Sequence, residues 1–151
     1  MLKYPVAYVS EPGFWMPTDQ EAEGLRNYLL KGGFVIYDDF VGPQHWYVFT
    51  NAMRKVLPQG RLVPIDNSHP IFDAFFRITN LEAIQSTYGI QPQYWGIYED
   101  NDPKKRLLFI ANLNSDLGDY WEWSDAGFFP IQLSNEAYKL GVNYVIYGMT
   151  R

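Results

Sequence analysis

Residues 17–39 read PTDQEAEGLRNYLLKGGFVIYDD, and their reading decides the fold. Thr18 stands where a helix begins, with Glu21 three positions on. A threonine oxygen can take the Glu21 amide while the glutamate reaches back to the Thr18 amide, the reciprocal capping box. Ala22, Leu25, Tyr28 and Leu29 then recur on one face at helical spacing. Gly32-Gly33 ends the helix, since glycine takes a left-handed cap without steric cost. Phe34 to Tyr37 is an uninterrupted apolar run, the pattern of a strand covered on both faces.

Upstream, Val6 to Val9 is a short β-branched and aromatic run between Pro5 and Glu11-Pro12-Gly13, and reads as a buried strand. Strand, helix, strand makes a parallel βαβ unit. Downstream, Pro43 suits the first turn of a second helix, whose apolar stripe is Trp46, Phe49, Met53, Val56 and Leu57. Arg61 to Ile65 reads as a third strand, and Asp66 to Asn80 as a loop with apolar anchors. Tyr94–Tyr98 and Leu107–Ala111 read as two strands joined at Glu99-Asp100-Asn101-Asp102-Pro103, whose turn formers suit a hairpin. Asn112 to Trp123 reads as a polar and aromatic loop. Ser134 is placed to cap a last helix, Asn135–Thr150, apolar on nearly all sides and so well buried; a helix followed by a strand from Tyr144 is the alternative. The expectation is one α/β domain over residues 1–151, a three-layer sandwich around a mostly parallel sheet.

Composition removes several functions. The 151 residues carry no cysteine, which excludes thiol nucleophiles, thiolate metal sites and disulfides and leaves the compartment undetermined. The net charge of −5 disfavours binding to a phosphate backbone, so no nucleic acid partner is expected. No apolar run is long enough to span a membrane. There is no Gly-x-Ser-x-Gly elbow and no glycine-rich nucleotide loop. No signal-peptide pattern opens the chain.

Polar groups able to carry chemistry gather in four places. Asp38 and Asp39 follow the Phe34–Tyr37 strand, and ligands of open parallel sheets bind beyond the carboxyl ends of strands. They suit a metal ligand or general base, although an aspartate capping the next turn is commoner. His69, held extended before Pro70, has an imidazole of near-neutral pKa, while a loop histidine bonded to the backbone is the plainer reading. His45 reads as solvent-facing or a local contact. Asn112, Asn114, Asp116, Asp119 and Glu122 offer hard oxygens, with Asp116, Asp119 and Glu122 the candidate ligands for calcium or magnesium. Their spacing is not that of an EF-hand, and such residues also brace turns without metal. Trp95 and Trp121 would serve a sugar as stacking surfaces, or simply pack.

Four stretches in order, Leu25 to Phe40, His69-Pro70-Ile71-Phe72, Asn114 to Glu122 and Gly141-Val142-Asn143-Tyr144, resemble the bacterial domain-of-unknown-function family 4159. The resemblance runs almost the whole chain and adds Asn143 to the candidate polar residues. It implies kinship with class I glutamine amidotransferase-like domains, of flavodoxin-like fold. It also implies that family members carry further α/β structure upstream and are often exported, so that this chain matches a carboxy-terminal part or a shortened member, with a periplasmic or extracytoplasmic setting open. That fold places a cysteine nucleophile after a central strand, and none exists here, so thiol-dependent glutaminase chemistry is absent. The leading expectation is a non-catalytic binding or assembly module for a protein partner or small ligand. The alternative is a metal-assisted hydrolase, acting on glycans, in which the carboxylates and His69 converge. A third reading is a sugar-binding domain. No organic cofactor is expected; a divalent cation is the one group the carboxylates would suit.

Overall fold

A computed structural model describes residues 3–84 and 89–151. β1 (Val6–Ser10) leads through a turn of 3-10 helix to α1 (Asp19–Leu30), where Thr18 accepts from the Glu21 amide and Glu21 answers the Thr18 amide at 2.7 Å. Gly32 follows with φ 108°, the left-handed stop that the double glycine provides. β2 (Phe34–Phe40) runs parallel to β1, and α2 (Gly42–Val56) follows with Pro43 in its first turn. β3 is only Val63–Pro64, shorter than the Arg61–Ile65 strand expected, because proline cannot donate to a ladder and leaves the segment at the sheet's margin.

β4 (Gln93–Gly96) and β5 (Phe109–Leu113) pair antiparallel through the turn at Glu99–Asn101. The strand order is β1-β2-β5-β4-β3. β1–β2 and β2–β5 are parallel, whereas β5–β4 and β4–β3 are antiparallel. The sheet is therefore mixed rather than mostly parallel: the β4–β5 connection holds only the Glu99–Asn101 turn and an antiparallel bridge between Tyr98 and Leu107, and so folds back as a hairpin instead of crossing over.

Asn112–Trp123 is not all loop. Asn112 and Leu113 belong to β5, and α3 spans Leu117–Glu122, started by Asp116 accepting the Asp119 amide at 3.0 Å. α4 runs Ile131–Thr150 with Pro130 at its cap, so it begins four residues before the expected Asn135 and continues where the alternative put a strand. Ser134 is not a cap; it lies inside the helix, buried, with its hydroxyl unpartnered.

β2 alternates between two cores. Val35 and Tyr37 face α1 and α2, packing with Leu29, Phe49 and Met53. Phe34 and Ile36 face α3 and α4, packing with Leu140, Tyr144 and the loop anchors Ile71 and Phe72. Helices thus cover both faces of the sheet, which is why the Phe34–Tyr37 run of β2 is apolar without alternation. α4 departs from expectation on one side. It buries Ala137, Leu140, Tyr144 and Tyr147 but leaves Tyr138, Val142, Val145 and Met149 exposed.

A carboxylate crevice and an open groove

The chain leaves β2 toward α2 on one face and leaves β5, its neighbour, toward α3 on the other. Connections that diverge from adjacent parallel strands open a crevice at their carboxyl ends. Asp38 and Asp39 end β2 there, and Asp116 follows β5.

Asp38 is fully buried and stands opposite Ser10 of β1. Its carboxylate accepts from the Tyr8 hydroxyl at 2.8 Å, the Asn112 amide at 3.1 Å and the Gly118 backbone amide at 3.1 Å. Asn112 accepts in turn from Tyr144 at 3.0 Å. Four strands and helices, β1, β5, α3 and α4, are thereby tied to one carboxyl group of β2. Burial raises Asp38 to about 6, against the opposing pull of its donors. The same burial, with Asp38 beside it, raises the Tyr8 hydroxyl far above its ordinary range, so Tyr8 stays a donor.

Asp39 turns the other way because its φ is 61°, a left-handed conformation that aspartate tolerates better than most residues. It accepts from the Ser10 hydroxyl at 3.1 Å and neighbours the Asp116 carboxyl. Burial first, then the neighbouring carboxylates Asp39, Asp38 and Asp119, raise Asp116 to about 7; burial also raises Asp39. Asp119 completes the acidic edge as a half-buried group whose amide is spent on Asp116.

The other candidates lie elsewhere. Asn114, at φ 63°, clamps two loops: its oxygen takes the Gly42 amide at 2.9 Å and its amide donates to Gln91 at 3.1 Å. Asn143 is fully buried, accepts from the Phe75 and Phe76 amides at 3.1 and 2.8 Å, and donates to the Phe76 carbonyl at 2.7 Å. It pins the 66–80 loop to α4. Asn143→Ala should cost about 2–4 kcal/mol, since three backbone groups lose their partner, and protection of the Phe75 and Phe76 amides against hydrogen exchange should fall with it.

His69 packs on Tyr98 and Tyr147, and Tyr147 meets Phe34 at the opposite, amino end of β2. Its Nδ1 accepts from the Ile71 amide at 3.1 Å, starting the turn at Pro70, and burial lowers its pKa. His45 accepts the Val41 amide, the local contact expected of it. Glu122 is exposed at the end of α3. Among the described residues, no three histidine, aspartate or glutamate side chains gather where one metal ion would sit. Trp95 packs against Trp46 on the α2 face, with ring centroids 5.0 Å apart, while Trp121 lies on the α4 face, so the two cannot stack on one ligand.

Trp121 instead lies across Gly141 of α4, where a β-carbon would meet the indole at 2.8 Å, and tilts against Tyr8 at 5.7 Å. Together with Val6, Ala7, Val142 and Val145 these rings line an open groove of about 640 Å³ between β1 and α4, with no charged side chain in its wall. β1 is the edge strand, so the groove runs beside an unpaired ladder. Tyr8 and Ser10, both essential to the crevice, escape sequence reading because only the β1–β2 register sets them beside Asp38.

Fold and site together define an α/β domain with a buried carboxylate at the divergence of two parallel strands and an apolar groove at the sheet edge. The chain belongs to the family described as Domain of unknown function (DUF4159), whose profile matches residues 1–149. No curated protein matches it.

Proposed function

We propose that this domain is a non-catalytic binding or assembly module built on a glutamine amidotransferase-like, flavodoxin-type scaffold. One observation carries the reading: α4 exposes Val142 and Val145, 37% and 42% accessible, along an uncharged groove beside the open edge of β1. Contiguous exposed apolar surface of this kind marks interaction sites, and an unpaired edge offers a partner a ready ladder. The scaffold reading is supported by β1–α1–β2–α2 feeding a crevice at the strand ends and by the four matching motifs. The cysteine nucleophile of that scaffold is missing from all 151 residues, and the β2 end holds two aspartates instead.

The test is paired affinity capture from the source cells with native protein and with Val142→Asp/Val145→Asp. A partner bound through the groove should be retained by the first and lost by the second, with affinity falling at least about a hundredfold because charge is forced into an apolar contact. Both valines are exposed, so melting temperature should be unchanged. Identical retention by the two proteins, at equal melting temperature, would end the reading.

A further inference from the structure

The free edge of β1 has a definite pattern. The Phe34 amide donates to the Pro5 carbonyl and the Glu11 amide to the Asp38 carbonyl, both across the β1–β2 ladder. Peptide groups alternate along a strand, so those of Ala7 and Val9 also turn to β2. The amides and carbonyls of Val6, Tyr8 and Ser10 therefore point outward. Val6–Ser10 carries none of the charges, prolines or bulges that guard such edges. Beside it, a β-carbon on Gly148 would meet Val6 of β1 and Phe34 of β2, each at 2.8 Å, so α4 runs above the seam between the two strands. Its outward residues Tyr138, Val142, Val145 and Met149 are spaced four, three and four apart. That is the narrow stripe of a helix that packs on one other helix. From Leu140 to Thr150 there is no charged residue, in a chain of net charge −5.

We propose that the partner of the groove is a second copy of this chain, joined β1 to β1 about a two-fold axis at Tyr8. The two five-stranded sheets become one, with the two α4 helices side by side. Symmetry, spacing and level agree. A two-fold axis across the sheet edge pairs identical strands antiparallel and sets each residue against its counterpart. Tyr8 then faces Tyr8 and Val6 faces Ser10 of the second copy, so every outward amide of the strand meets an outward carbonyl. Strands lie about 4.8 Å apart, so a helix seated half a spacing inside β1 stands about 10 Å from its image. Packed helices have that separation. Tyr8 is about 6.6 Å along β1 from Val6, the length of about four helical residues. Running the opposite way from Gly148, α4 reaches Tyr144 over that length, in the middle of its stripe. One axis thus centres strand and helix together and lays Val142 against the second copy's Val145. A charged partner would find nothing in the groove wall to answer it, whereas a second copy is apolar in the same places. Tyr8, Tyr138 and Met149, 42%, 44% and 62% accessible, join the valines and the strand edge in a surface approaching the roughly 800 Å² per partner of a standard interface. This assignment rests on the binding reading above and adds the identity of what is bound.

The experiment is sedimentation equilibrium of the native chain over a range of concentrations, with amide hydrogen exchange on the same samples. The native protein should reach twice the 17.6 kDa of one chain. Protection of the Val6, Tyr8 and Ser10 amides should rise with the fraction of dimer. Val142→Asp/Val145→Asp sets carboxylates against one another across the axis and should sediment as a monomer. In it those three amides should exchange at least about a hundredfold faster, while Ala7 and Val9, bonded to β2, keep their protection. Diluted to monomers, the two proteins should melt alike, and the native protein alone should gain melting temperature with concentration. A native chain still monomeric at about 1 mM would overturn the proposal. So would a folded variant that remains dimeric, or a native dimer whose Val6, Tyr8 and Ser10 amides exchange freely. A monomeric native chain that captures a different protein through the groove would end this assignment and leave the binding reading standing.

Discussion

Asn112→Ala is expected to destabilise the protein by about 3–5 kcal/mol, a fall in melting temperature on the order of 10–15 °C. Asn112 is fully buried and answers two groups at once, donating to Asp38 and accepting from Tyr144. Truncation strands a buried carboxylate oxygen and a buried phenol, neither of which can reach water. Both losses carry the desolvation cost of an unmet polar group, which is larger than the net worth of a hydrogen bond. The variant has a second signature. Removing a donor from Asp38 drives its pKa above about 6, so the carboxyl should titrate at higher pH in the variant. Thermal melts and carboxyl carbon NMR titrations read the two effects independently. A variant that melts within 2–3 °C of native, roughly what 1 kcal/mol produces at this size, would show that the network is not the joint described above.

The second large effect is on pH dependence. Asp38 is raised from its model-compound value to about 6, because burial penalises the charged form more than its donors favour it. The native state therefore binds more protons than the unfolded chain from about pH 4 to about pH 6. A raised carboxyl contributes stability that is complete below the unfolded pKa and is lost as pH climbs through the folded one. Two pH units correspond to about 3 kcal/mol for this one fully buried group. Asp38→Asn cannot ionise, so native and variant should diverge: the difference in their stabilities should shift by about that amount between pH 4 and 7, native losing ground as pH rises. Denaturant melts at half-unit steps would measure it. The surface carboxylates Asp19, Glu21 and Asp66, whose pKa values are lowered, act in the opposite sense but equally in both proteins. A constant difference across that range would show that Asp38 does not titrate as its burial requires.

Local chemistry explains what was legible in the sequence. The capping box at Thr18, the glycine stop at Gly32, the apolar run of β2 and the turn at Glu99–Asn101 each depend on residues within a few positions of one another. α3 was hidden because Asp116 to Glu122 carries as many turn formers as helix formers, and its cap matters only once Asp38 receives Gly118. The start of α4 was misplaced by a serine with capping chemistry in the wrong place, four residues inside the helix. The mixed sheet follows from which strand β5 joins, a long-range choice with no local signature. The same is true of the site. Asp38, Asp39 and Asp116 could be picked out by type and position, but the bonds of Tyr8, Ser10 and Asn112 to the aspartates of β2 depend on register between strands some thirty and seventy residues apart. Asn114 and Asn143 looked like ligands because a buried asparagine that clamps loops and one that holds a ligand have the same sequence.

The place of β5 at the centre of the sheet has a consequence for how the protein is made. Both cores are completed by this strand, one through Ile110 and the other through Phe109 and Ala111. Synthesis runs from the amino end, so the ribosome delivers β1, β2 and both helices of the first core well before their central neighbour. Until Leu113 has left the exit tunnel, β2 has a bare edge on the side where β5 belongs, and its apolar run Phe34–Tyr37 is exposed there. The nascent chain must wait with an adhesive strand uncovered, a natural point for a holding chaperone to engage it.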